Sequence, residues 1–167
     1  DIPESDEDFY QSALAFGRFQ ELLSDFPADT LYETIPEFHN TVDRFRQLKE
    51  SIQSDNMGRV ALARKEINFA LSQEPIGGTL QSMLELGELP LRVTHNDTKL
   101  NNILIDRETG EGICVIDLDT TMPGLSMNDF GDSIRFGANH SKEDEKDLSK
   151  VNFDIELYEA FTRGFIQ

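Results

Sequence analysis

The sequence predicts an α+β fold that is mainly helical, and three patterns carry that expectation. Apolar residues recur at helical spacing up to Pro90. From Leu91 the pattern changes to short β-like runs around a polar turn, and beyond Asp129 it returns to helical spacing. With no internal repeat or low-complexity linker, the chain reads as one domain in three stretches. These are a helical subdomain over 1–90, a hairpin-bearing segment over 91–121 and C-terminal helices over 122–167.

Taken in order, Ser5-x-x-Asp8 has the form of a capping box. Phe9, Ala13, Phe16, Phe19, Leu23 and Phe26 then predict a first helix running to Pro27. A second helix is expected through Val42, Phe45 and Leu48 to about Asp55. A third follows from Val60, Ala63, Ile67 and Ala70, and a fourth from Leu80, Met83 and Leu84 after Gly77-Gly78. Leu91–Thr94 is a strand candidate. Ile103–Ile105 and Ile113–Ile116 flank the polar turn Asp106–Gly112 as a β-hairpin. Asp129-x-x-Asp132 is expected to cap a helix through Ile134 and Phe136. Ser141-x-x-Asp144 marks another start, and Leu157, Phe161 and Phe165 a final helix.

Composition narrows the function classes. At 167 residues the chain can bury a modest single core. A net charge of −17 with no basic patch argues against nucleic acid as a partner. No stretch approaches the roughly 18 apolar residues of a membrane span, and no secretory signal opens the chain, so no membrane association and a cytoplasmic location are expected. The single cysteine, Cys114, lies among Ile and Val and is expected to be a buried thiol in a reducing compartment. The first residue is Asp rather than Met, as a piece of a longer protein would have.

The chemistry concentrates in His95-Asn96-Asp97-Thr98-Lys99-Leu100-Asn101-Asn102, of the form H-x-D-x-x-x-x-N, followed by an apolar strand that delivers Asp117. Phosphoryl transfer of the kinase type needs that set: a carboxylate on the acceptor side, plus an amide and a carboxylate that hold Mg²⁺. Asp97 is expected to orient the attacking hydroxyl and accept its proton. Lys99 is expected to face the transferred phosphate, and His95 to brace the loop by hydrogen bonds. If the turn centres between Thr109 and Gly110, Asn102 faces Asp117 and Leu104 faces Val115, with opposed Cα atoms roughly 4.5–5.5 Å apart. Such a pair suits Mg²⁺, which takes oxygen ligands and keeps waters and phosphates. Singly, Asp97 would be an ordinary loop carboxylate and Asn102 a turn amide; the argument rests on their combination.

Two further patterns compete for the same chemistry. Asp129-Phe130-Gly131 spells the metal-binding triplet of protein kinases, but Asp117 already ends a strand where that role belongs, so Asp129 is read as a helix cap. Asp117-x-Asp119-x-Thr121 matches the nucleophile pattern of haloacid-dehalogenase-type phosphatases. That fold places the motif early and follows it with several βα units, whereas helical-looking sequence follows here. The role of Asp119 stays open.

The motif pair resembles the aminoglycoside phosphotransferase and choline kinase superfamily. Within it, the segments Leu91–Asn102, Val115–Thr120, Met122–Leu125 and Asn128–Ala138 look closest to N-acetylhexosamine 1-kinases, most densely from Leu91 to Phe161. The resemblance implies the C-terminal lobe of a protein-kinase-like fold, ATP and Mg²⁺ as cofactors, Asp97 as base, Asn102 and Asp117 as metal ligands, and the anomeric C1 hydroxyl of an N-acetylhexosamine as acceptor. It also implies an N-lobe with a Gly-rich loop and a Lys-bearing strand, a pattern this sequence does not contain. The expectation is therefore a partial C-lobe, inactive alone and able to self-associate through uncovered apolar surface. Choline, an aminoglycoside, homoserine or another small alcohol would keep the chemistry and change the pocket. A phosphatase and a non-catalytic binding module are the remaining alternatives.

Overall fold

The computed structural model describes residues 5–167. Its helices and strands run α1 (Asp6–Leu22), α2 (Thr41–Ser54), α3 (Arg64–Ser72), α4 (Glu74–Gly77), α5 (Thr79–Glu85), β1 (Arg92–Thr94), β2 (Ile103–Ile105), β3 (Gly112–Val115), β4 (Met122–Gly124), α6 (Ser126–Gly137) and α7 (Ile155–Phe165). Short 3₁₀ turns occupy Ala28–Thr30, Leu100–Asn102 and Leu118–Thr120. The α+β, mainly helical class predicted from sequence is the class observed. The chain divides into two compact units: residues up to Thr34 together with Leu91–Gln167, and Ile35–Pro90.

In the first unit, Ser5 caps α1 by accepting the Asp8 N–H at 3.1 Å, as its spacing predicts. The helix stops at Leu22, earlier than the apolar periodicity implied, because residues 23–26 close into turns. Its inner face, Phe9 and Ala13, packs on Leu157 and Phe161 of α7 and on Ala138. The two helices approach so closely that Gly164 lies against the Tyr10 carbonyl and the Ala13 methyl, where a side chain would have no room. Phe130, Phe161 and Phe165 pack edge-on or stacked around the same core.

Two small antiparallel pairs hold the segment between these helices. In one, β1 pairs with β4, setting Arg92 opposite Gly124, Val93 opposite Pro123 and Thr94 opposite Met122. This pairing joins residues about thirty apart and left no local signal in the sequence. It pins both ends of the stretch 95–121. The other is the expected hairpin, with Ile103 opposite Val115 and Leu104 opposite Cys114.

The hairpin register corrects the sequence reading: Asn102 does not face Asp117, and Leu104 does not face Val115. The Asp106 carboxylate accepts the N–H groups of Glu108 and Thr109, centring the turn earlier than assumed. A bulge between Leu104 and Ile105 then recovers only part of that shift. The Ile116 N–H donates to the Asn102 carbonyl at 2.9 Å, so Ile116 is the residue across from Asn102.

Cys114 is exposed, not buried. Only one face of the hairpin is covered, where Gly112 lies against Ala15 and the Gln11 carbonyl of α1. Cys114 and its partner Leu104, itself 48% exposed, point off the other face. Two helix starts also differ from expectation. α6 begins at Ser126, ahead of Asp129. No helix forms at Ser141: its hydroxyl donates to the Lys150 carbonyl instead of capping, and the run that follows offers only Leu148, 74% exposed, for burial.

In the second unit, Asn40 caps α2 by accepting the Asp43 N–H, and Asp55 closes the helix in the left-handed conformation. The Asp55 carboxylate then takes the Val60 N–H, so α3 starts only at Arg64. A Lys49–Glu74 ion pair of 2.5 Å ties α2 to α4. Leu48, Ile52, Met57, Val60, Ala63 and Ile67 line an open groove of about 360 Å³. No side chain between residues 35 and 90 is fully buried.

Candidate active site

The loop between β1 and β2 is built from polar groups that are nevertheless buried: Thr94, His95, Asn96, Thr98 and Asn102. Buried polar groups are costly unless paired, and nearly all of these are. The Thr94 hydroxyl donates to the Met122 carbonyl, the Thr120 hydroxyl to the His95 carbonyl, and the Asn96 amide to the carbonyls of Thr94 and Thr120. The Thr98 hydroxyl donates to the Asp129 carbonyl, and the Ser133 hydroxyl to the Thr98 carbonyl. Asn96 takes a positive φ of 67°, which an Asn tolerates better than most residues and which reverses the chain before Asp97.

His95 braces the loop, as its sequence position suggested. Its Nε2 is 2.9 Å from the Ile116 carbonyl and its Nδ1 is 3.3 Å from the Asp97 N–H. A carbonyl can only accept and an N–H can only donate, so the ring is the neutral Nε2–H tautomer. Phe16 and Phe19 of α1 meet that ring edge-on at 5.4 and 5.9 Å. One imidazole thereby links the loop carrying Asp97 to the strand end before Asp117.

Asp129 is the residue the sequence reading misassigned. It is not a helix cap, since it lies inside α6, and its carboxylate faces the loop, 1% exposed. Oδ2 accepts the His95 N–H at 2.9 Å and the Gln20 side-chain amide at 2.6 Å, while Oδ1 accepts the Asn96 N–H at 2.8 Å. Burial pushes its carboxyl above the ordinary carboxylate range, against the lowering effect of these donors. Its sequence signal was ambiguous because its partners are backbone amides more than thirty residues away.

Asp97 is joined by Lys99 and Asn102, a grouping different from the Asn102–Asp117 pair expected from the sequence. Lys99 Nζ lies 3.1 Å from Asp97 Oδ1, and Asn102 Nδ2 donates to Asp97 Oδ2 at 3.0 Å and to the Asp97 carbonyl at 2.8 Å. The neighbouring carboxylate holds the Lys99 ammonium above its ordinary pKa, against partial desolvation. Lys99 also stands 6.0 Å from the Phe136 ring. The Asp97 carboxylate is thus aimed from two sides and half-exposed on the third.

Asp117 lies one residue beyond the Ile116 that bonds to both Asn102 and His95. It leaves the strand with φ 64° and ψ 58°, the left-handed conformation, and leads into the 3₁₀ turn that carries Asp119. Both carboxylates are on exposed residues. The donor chemistry suits a hard cation. Asn102 spends its Nδ2 on Asp97, which leaves its side-chain oxygen, and Asp117 offers carboxylate oxygens. Among the described residues no group of three or more His, Cys, Asp or Glu side chains is arranged to hold a metal. An amide and one carboxylate form a smaller set, the kind Mg²⁺ uses when waters and phosphates complete its shell. Among the described residues no helix is long and apolar enough to cross a membrane.

A carboxylate on a braced loop, with a lysine and an amide beside it, is an arrangement suited to phosphoryl transfer, and the comparison with known families agrees. The family model described as the phosphotransferase enzyme family matches residues 3–163, and the chain belongs to that family.

Proposed function

We propose that these residues form the acceptor and metal side of an ATP-dependent small-molecule kinase, with the C1 hydroxyl of an N-acetylhexosamine as acceptor. The observation that carries the reading is the Asp97 carboxylate held between Lys99 and Asn102 on a loop fixed by His95 and Asp129. The resemblance of residues 91–138 to N-acetylhexosamine 1-kinases supports the choice of acceptor.

In this reading the acceptor oxygen attacks the γ-phosphorus in line, the bond to the β–γ bridging oxygen breaks, and ADP departs. The hydroxyl proton passes to Asp97, whose oxygens each keep a lone pair beyond the one engaged by Lys99 or Asn102. Lys99 is placed to shift from Asp97 toward the transferred phosphate as negative charge moves onto its oxygens. Asn102 and Asp117 would hold Mg²⁺, which when bound neutralises charge on the nucleotide phosphates. What the protein contributes is therefore mostly positioning and electrostatics.

The test is an acceptor screen with the complete gene product, ATP and Mg²⁺. N-acetylglucosamine, N-acetylgalactosamine, choline, an aminoglycoside and homoserine are compared by ADP release, and the product is identified by ³¹P NMR. An anomeric sugar phosphate is the expected product. Transfer confined to another alcohol would overturn the acceptor assignment while keeping the chemistry. ATP-independent phosphoester hydrolysis, or no transfer to any acceptor, would sink the kinase reading.

A further inference from the structure

Gln20 lies on α1, far from the motif in sequence, and neither the loop's chemistry nor the family match gives it a role. Its side-chain Nε2 reaches Asp129 Oδ2 at 2.6 Å. A carboxylate only accepts, so the amide must turn its nitrogen inward. Asp129 otherwise takes only the backbone N–H groups of His95 and Asn96. Those two donors belong to the loop itself. Gln20 is the side-chain donor in the set, and among the described residues no cation is hydrogen-bonded to this buried carboxylate. Gln20 shares its helix with Phe16 and Phe19, whose rings pack on His95. One stretch of α1 therefore touches the loop through two rings and touches its anchor through an amide.

We propose that Gln20 is a positioning residue for the Asp97 loop: its amide completes the donor set with which Asp129 fixes the His95 and Asn96 amides, and so sets the direction in which Asp97 is presented. An ionised Asp129 can receive all three donors. Once protonated, one of its oxygens carries an O–H that has only donors in front of it, so its hold on the N–H groups weakens. Burial already works against the ionised form, and each lost donor strengthens that tendency. The charged and titratable neighbours do not replace Gln20. His95 is neutral by its hydrogen bonds. On α6, Asp132 and Arg135 pair with each other at 2.9 Å. On α1, Arg18 and Glu21 are exposed.

The role of Gln20 as a support of Asp97 in transfer rests on the function proposed above, but its test needs no ATP, so the two can fail separately. The full 167-residue chain and its Gln20→Leu and Gln20→Glu variants would be followed by NMR from about pH 4 to about pH 9. The readouts are the ¹³C resonance of the Asp129 carboxyl and the exchange rates of the His95 and Asn96 amides. Gln20→Leu is expected to move the Asp129 titration upward and to speed exchange of those two amides roughly tenfold at neutral pH, beyond any change in global exchange. Gln20→Glu should give the opposite pH dependence. A proton shared by the two carboxyls keeps the loop protected on the acid side, and its loss on raising the pH sets like charges together and releases it. If Gln20→Leu fails to fold, the Gln20→Glu profile alone decides. An Asp129 titration and amide protection unchanged from the parent chain in either folded variant would overturn the proposal.

Discussion

The loop that carries Asp97 and the turn that carries Asp117 sit at the two ends of one hydrogen-bonded patch, yet they are built in opposite ways. The loop is buried, its polar groups are matched to partners on β4 and α6, and α1 packs two rings on its His95. In the turn, Asp117, Leu118 and Asp119 are all exposed, and Asp117 adopts a left-handed backbone after the strand ends. The difference divides the labour. The protein itself fixes the group that would meet the acceptor, whereas the group proposed to meet a cation is left hydrated and accessible. A buried carboxylate network rigidifies when every member is satisfied, and a water-facing carboxylate costs little to keep free.

Breaking the loop should therefore cost far more stability than breaking the turn. The largest effect is expected for Asp129→Ala, which leaves the His95 and Asn96 N–H groups buried without acceptors, at roughly 1–3 kcal/mol each. Urea unfolding would measure it, and a loss no larger than that of a surface substitution would contradict the scaffold role. Next comes Asn102→Ala, which strips the amide from Asp97 and should cost about 0.5–1.5 kcal/mol. Its ¹⁵N spectrum should change at Asp97, Thr98 and Lys99 more than at the core residues Phe9 and Phe161.

The pH dependence follows from the raised pKa of Asp129. Between the unfolded value, near 3.9, and the higher folded one, the native chain holds a proton there that the unfolded chain has released. The stability linked to that proton is full below the unfolded value and is lost as pH rises through the folded one. In Asp129→Asn this slope should vanish, so the difference in unfolding free energy between parent and variant should shrink with rising pH. A parallel pair of curves would refute it. The smallest effect on stability, within about 0.5 kcal/mol, is expected for Asp117→Asn. The same variant should lower Mn²⁺ affinity by more than the roughly 10–100-fold typical of groups one step removed from a metal. Unchanged Mn²⁺ binding would remove Asp117 from the proposed ligand set.

What could be read from the sequence follows the range of the interactions involved. Asp97, Lys99 and Asn102 were legible as members of one short motif, but their contacts with one another were not, because the sequence reading set Asn102 against Asp117 and Lys99 against a phosphate. Helices α2, α3 and α5 were legible from apolar period, although an Asx bond at Asp55 delayed the start of α3 and the single turn of α4 was not foreseen. The hairpin was legible as an element but not in register, because one carboxylate, Asp106, moved the turn and a bulge returned only part of the offset. The β1–β4 pairing and the role of Asp129 were not legible. Both join groups about thirty residues apart, and in Asp129 the partners are backbone amides that leave no side-chain signature. Cys114 misled because an apolar strand on a hairpin covered on one side buries only half its residues.

The central claim is that Asp97 is the proton acceptor on a loop whose geometry does not depend on its charge. The direct measurement is ATP-dependent transfer by the complete gene product carrying Asp97→Asn, with the His95 and Asn96 amides monitored for protection in the same protein. The expected result is a fall in kcat of about 10²–10⁴-fold with both amides still protected. Transfer at the parent rate with the loop intact would contradict the account.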